Sequence, residues 1–134
     1  MNNTTVGDHM TANPVTIPAD LSLADAALRM HDHGIRHLPV IDQGHVVGIV
    51  SERDLALVMG IPGVDKERVE VTEAMTAHPY IVEPSTPLEV VVATLHERKL
   101  GTAVVMDKGE ILGIFSVIDA LAALLIALRG DHAR

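Results

Sequence analysis

The sequence has no cysteine and no tryptophan, and its only aromatic residues are Tyr80 and Phe115. Without cysteine there are no disulfides, no thiolate metal sites and no thiol nucleophiles, a composition that suits a reducing cytosol. Without aromatic platforms, single-stranded nucleic acid has nothing to stack on. Cations are scarce as well: ten Lys and Arg stand against eighteen Asp and Glu, a formal charge of −8 with no basic cluster. A phosphate backbone would be repelled, which excludes DNA and RNA as partners. The longest apolar run, residues 120–128, is nine residues long and cannot span a bilayer. The N-terminus lacks the basic region and apolar core of a signal peptide. These absences lead us to expect a soluble, cytoplasmic protein without a membrane partner, its core filled by Ala, Val, Ile, Leu and Met.

What the chain does contain is a repeat. Gly48-Ile49-Val50-Ser51-Glu52-Arg53-Asp54 returns sixty-five residues later as Gly113-Ile114-Phe115-Ser116-Val117-Ile118-Asp119. At that offset residues 8–54 lie on 73–119 without a gap, and thirteen of forty-seven positions are identical, where chance gives two or three. Met10-Thr11-Ala12 with Pro14 matches Met75-Thr76-Ala77 with Pro79, and Asp42 and Gly44 match Asp107 and Gly109. A period this long means two supersecondary units rather than a solenoid. At 134 residues the chain buries roughly 68 per cent of its unfolded surface as one domain, whereas two sixty-residue units would each be marginal alone.

Taken in order, residues 1–7 read as a disordered polar tail, and Val15-Thr16-Ile17, closed by Pro18, as a short edge-like strand. Ser22-Leu23-Ala24-Asp25 has the form of a capping box; Leu23, Ala26, Ala27 and Met30 then make one apolar helix face, and Gly34 sits where a left-handed C-terminal residue belongs. Strands at 38–41 and 46–50 flank the Asp42-Gln43-Gly44-His45 turn, and a second helix runs over 51–59. Unit two repeats the plan with a strand at Tyr80-Ile81-Val82, a capping box at Thr86-Pro87-Leu88-Glu89, and a helix burying Leu88, Val91, Val92 and Leu95. Strands at 102–106 and 111–115 and a helix over 117–129 complete it. Unit one is expected at 8–62, a solvated linker at 63–72, and unit two at 73–130. The fold class is α+β, with two β-α-β-β-α repeats.

Ser51 with Asp54, and Ser116 with Asp119, suit two tasks. Each pair can cap its helix, the carboxylate complementing the dipole. Each can also serve a ligand: free N–H groups at a helix start favour phosphate, and the aspartate can accept from both hydroxyls of a ribose. Both tasks are compatible. No metal site is expected. His31 and His33 are spaced i, i+2, which places them about 200° apart on a helix, and His9, His45, His78, His96 and His132 are scattered. Nor is catalysis expected, because the nucleophile-elbow, zinc-protease, P-loop and dinucleotide motifs are all missing.

The element order, the Met-Thr-x-x-Pro openings, Gly-Ile-Arg-His-Leu-Pro-Val-Ile-Asp at residues 34–42 and the repeated Gly-h-h-Ser-x-x-Asp resemble CBS domains, and two in tandem resemble a Bateman module. The resemblance covers about residues 8–129. It implies a pseudo-two-fold pair with two clefts that take an adenosine ligand such as AMP, ADP, ATP or S-adenosylmethionine, used for sensing rather than catalysis. By that resemblance Asp54 and Asp119 hold ribose, and Ser51 and Ser116 lie near ribose or phosphate. The other repeat completes each site: Thr16, Ile17, Arg36, His37 and Pro39 for Asp119, and Ile81, Val82, Gly101, Thr102 and Ala103 for Asp54, with Arg53 at its own helix start. On that pairing the Asp119 site is offered Arg36 and His37 where the Asp54 site is offered Gly101 and Thr102, so it is expected to bind nucleotide more tightly, with Arg53 favouring the other site.

Such a module would pass occupancy to an effector protein. The alternative is a structural or docking module with vestigial clefts. Because residues 120–128 are apolar on every side, and Leu55, Leu57, Val58 and Met59 similarly so, a homodimer through these helices is expected.

Overall fold

The computed structural model describes residues 4–130. They divide into a continuous unit, Val15–Pro79, and a split unit that joins the chain before Val15 to the chain after Pro79. In the continuous unit β2 (Ile17–Pro18) leads to α1 (Leu23–His33), the hairpin β3 (His37–Asp42) and β4 (His45–Ser51), α2 (Glu52–Met59), a 3-10 turn at Val71–Glu73 and β5 (Thr76–Ala77). Its sheet order is β2-β3-β4-β5, with β2 parallel to β3 and the other pairs antiparallel. The split unit opens with a 3-10 turn at Val6–Asp8 and β1 (Thr11–Ala12). It resumes with β6 (Ile81–Val82), α3 (Leu88–Arg98), the hairpin β7 (Thr102–Asp107) and β8 (Glu110–Ser116), and α4 (Val117–Gly130). Its sheet has the matching order, β6-β7-β8-β1.

The two openings are therefore exchanged. β5, which begins the second repeat, pairs with β4 of the first, and β1, which begins the first, pairs with β8 of the second. This exchange explains why Met-Thr and Gly are repeated together. A Cβ placed on Gly48 would lie 2.5 Å from Sδ of Met75 and 2.8 Å from the carbonyl oxygen of Thr76; on Gly113 it would lie 2.6 Å from Sδ of Met10 and 2.7 Å from the carbonyl oxygen of Thr11. Only a residue without a side chain lets the incoming strand approach this closely.

Local chemistry sets the remaining elements. Gln43 and Gly44, and likewise Lys108 and Gly109, all have positive φ, the signature of a type I′ hairpin. Pro18 is tolerated because β2 is an edge strand. The Ser22 hydroxyl accepts from the Asp25 N–H at 3.1 Å, and Gly34 ends α1 at φ 63°. The matching cap in the split unit does not form. Pro87 occupies the N-cap of α3 without a side-chain hydrogen bond, so the box expected from Thr86 to Glu89 is absent. The carbonyl of Thr86 instead accepts from the Val6 N–H at 2.9 Å. The missing cap costs α3 about 1 kcal/mol.

Burial corrects three further expectations. Residues 4–7 were assigned to a disordered tail, but Val6 is fully buried, Gly7 donates to the Pro84 carbonyl at 3.0 Å, and the Thr4 carbonyl accepts from Leu88 at 2.9 Å. One apolar residue among polar ones gave no periodic signal. Residues 1–3 and His132 lie outside the described residues. Val92 is 39% exposed; α3 buries Val91 and Leu95, with Leu88 half-buried. The stretch read as a solvated linker contributes Val64 and Val69 to the core of the continuous unit, and Val69 accepts from the Leu23 N–H at 2.9 Å. That core also gathers Ile17, Leu23, Met30, Leu38, Val40, Val50, Leu55 and Val71, and the split unit's core forms around Phe115, Val91, Ala103 and Val105.

Candidate functional site

Each hairpin delivers its chain into a helix at a serine. In the continuous unit the Ser51 N–H donates to Oδ2 of Asp54 at 3.0 Å, and the Asp54 N–H returns a bond to the Ser51 hydroxyl at 3.0 Å. This reciprocal box fixes the start of α2 and leaves Oδ1 of Asp54 outside it. In the split unit the Ser116 N–H donates to Oδ2 of Asp119 at 2.9 Å, and the Asp119 N–H donates to the Ser116 hydroxyl at 3.3 Å. That hydroxyl also donates to Oδ2, at 3.1 Å. All four side chains are half-buried, held by the fold yet open to solvent.

Within the continuous unit the structure gathers Arg36, His37, Ser51, Arg53 and Asp54 at one end of the sheet. His37 lies opposite Ser51, and the Arg36 carbonyl accepts from the Glu52 N–H at 2.8 Å. The split unit gathers Gly101, Thr102, Ser116 and Asp119 in the same way: Thr102 opposes Ser116, and the Gly101 carbonyl accepts from the Val117 N–H at 3.1 Å. Arg36 and His37 were assigned to Asp119 by resemblance; in their own unit they border the Asp54 helix start. Thr16 and Ile17 are at β2, one strand removed from β4, with Ile17 opposite Val40, and Ile81 and Val82 hold the equivalent place on β6. Ile17, Pro39, Val82 and Ala103 are buried, so backbone is what they can offer a ligand.

One contact was not foreseen. The Thr11 hydroxyl donates to Oδ1 of Asp119 at 3.1 Å across 108 residues of sequence. The repeated Met-Thr was the available signal, but the exchange of openings that gives it meaning is not readable from either repeat alone. A depression of about 470 Å³ in the continuous unit, lined by Pro18, Asp20, Asp42, Gln43, Glu70 and Thr72 among others, includes none of the expected site residues. Among the described residues no group of three or more His, Asp or Glu is arranged to hold a metal ion, and no helix is long and apolar enough to cross a membrane.

The sequence model of the CBS domain family matches the chain twice, at residues 6–60 and 71–126. The chain belongs to the CBS domain family. Both matches take in a Met-Thr opening and a Ser-x-x-Asp helix start, the features that the two units arrange alike. The CBS domain-containing protein YhcV of Bacillus subtilis is 26% identical over 114 residues, 85% of this chain and 81% of that protein. Homoserine O-acetyltransferase of Methanosalsum zhilinae is 35% identical over 80 residues; this covers 59% of the present chain but only 16% of the enzyme. Among solved structures, the AcuB protein of Vibrio cholerae superposes with a TM-score of 0.83 at 26% identity, covering 99% of this chain and 98% of that one. CBSX2, solved in complex with AMP, superposes with a TM-score of 0.78 at 32% identity, covering 90% and 96%. The chain is thus a tandem CBS pair of mixed α and β structure.

Proposed function

We propose that this CBS pair is a regulatory module that binds an adenosine-type ligand, AMP, ADP, ATP or S-adenosylmethionine, and passes its occupancy to an effector protein. The observation that carries this reading is the helix start that occurs twice in one geometry, in a chain 32% identical to the AMP-bound CBSX2. Asp54 and Asp119 accept from ribose hydroxyls, and the N–H groups of the first turn receive the phosphate. Ser51 and Ser116 stand beside them, and Arg36 and Arg53 add positive charge at the first of the two starts. In a protein of charge −8 such local cations offset the repulsion of an anionic ligand.

We further propose a homodimer joined through α4 and α2. Leu121, Leu124, Leu125, Ile126 and Leu128 on α4 are 48–61% exposed, and Leu57 on α2 is 65% exposed. These exposed side chains also favour a second reading, in which docking is the whole function. Thermal melting separates the two. A ligand at 100 times its Kd adds about 2.7 kcal/mol of stability, so a raised midpoint with AMP, ADP, ATP or S-adenosylmethionine supports the sensor. No shift with any of the four leaves the docking module.

A further inference from the structure

We infer that Thr11, on the strand that opens the chain, is the positioning residue of the Asp119 ligand site, and that the two sites differ in this respect. The inference rests on the reading of Asp119 as a ribose acceptor. Oδ2 of Asp119 is taken up by the Ser116 N–H and hydroxyl, at 2.9 and 3.1 Å, so Oδ1 is the oxygen left to face a ribose. Thr11 donates to that oxygen at 3.1 Å. Since a carboxylate oxygen accepts two hydrogen bonds, the threonine hydroxyl occupies one lone pair of Oδ1, fixes the rotation of the carboxylate, and leaves the other for the ligand.

Thr11 is itself held by groups other than the Ser116–Asp119 pair. It pairs with Ile114 on β8, the Met10 thioether and the Thr11 carbonyl lie against Gly113, and Val6 is buried in the core of the split unit. The opening strand thereby reaches a carboxylate 108 residues on. Asp54 lacks this support. Thr76, the matching residue, pairs with Ile49, but among the described residues no hydrogen bond joins it to Asp54. Asp119 is pre-organised on both oxygens, whereas Asp54 is held on one.

The test is titration with AMP in the Asp54→Ala protein, where Asp119 is the remaining site. Thr11→Val keeps the shape and β-propensity of an exposed strand residue while removing the hydroxyl. It is expected to weaken AMP about twofold to tenfold, the cost of ordering one side chain on binding. Thr11→Ser is expected to restore the affinity, and Thr76→Val to leave it unchanged. If the Asp54→Ala protein binds no AMP, the reading of Asp119 as a ribose acceptor falls and the inference with it. If AMP binds but Thr11→Val matches the parent, or Thr11→Ser is as weak as Thr11→Val, the inference alone is overturned.

Discussion

Around Ser51 the facing strand begins at His37, just after Arg36, and the helix continues through Glu52 and Arg53; around Ser116 the same positions hold Thr102, Gly101, Val117 and Ile118. The frame is shared: a two-residue strand crosses a glycine, a type I′ hairpin precedes it, and a serine and an aspartate close the helix start. Most identities across the repeat fall on or beside these frame residues; Leu23, His31 and Val40, with their counterparts, are the exceptions. The charges around the frame are free to diverge, so one scaffold presents a cationic helix start and a neutral one.

The largest expected effect breaks the frame in both units alike. Gly48→Ala and Gly113→Ala each set a methyl within 2.8 Å of a backbone oxygen, which cannot rotate away as a side chain does. Each should cost about 1–3 kcal/mol in urea denaturation. A loss in only one unit would show that the two crossings are not equivalent.

Charge sharpens the contrast next. Arg36→Ala removes one of the two cations at the Asp54 helix start, and a charge-assisted hydrogen bond is worth about 1.5–3 kcal/mol. AMP binding should weaken about tenfold or more in an Asp119→Ala background and stay unchanged in an Asp54→Ala background. The opposite pattern would return Arg36 to Asp119, as the family resemblance suggested.

A smaller effect concerns the helix ends. Gly34 closes α1 in the left-handed region at φ 63°, and Lys99 closes α3 there at φ 56°. Lys99→Gly should stabilise the protein by about 0.5–1 kcal/mol, after allowance for the added freedom of the unfolded chain. A destabilised variant would mean that the lysine side chain contributes more than its backbone strain costs.

The smallest effect is in acid. The Thr5 backbone N–H, donating at 3.0 Å, and then the Thr5 hydroxyl hold the Asp8 carboxyl below its usual range. A lowered folded pKa means that the native state binds fewer protons. The contribution is complete above the unfolded value of about 3.9 and is lost as the pH falls through the folded value. No side-chain cap closes the matching turn at Val71–Glu73. Amide exchange at Val6 should therefore rise below about pH 4 while exchange at Val71 does not follow the same curve; parallel curves would contradict this difference.

Features encoded by adjacent residues were legible in the sequence. Gly44 and Gly109 announced their hairpins, Gly34 its helix end, and Ser51 with Asp54 and Ser116 with Asp119 their helix caps, because turns and caps are decided within four residues. Harder to read was the partner of each opening strand, since Thr11–Ala12 and Thr76–Ala77 are alike in sequence and pairing is settled by nonlocal packing. The same limit hid the Thr11 to Asp119 bond and the burial of Val6. Pro87 was misread for a different reason. A proline at the first helical position is a common signal, but here it stands one residue earlier, in the place of Ser22.

The most direct test of the account is calorimetric titration of AMP into the parent protein, Asp54→Ala, Asp119→Ala and the double variant. Two helix starts that each hold a ribose predict two binding events in the parent, one in each single variant and none in the double variant, with every protein folded. Undiminished AMP binding in the double variant would contradict the assignment of these aspartates to the ligand.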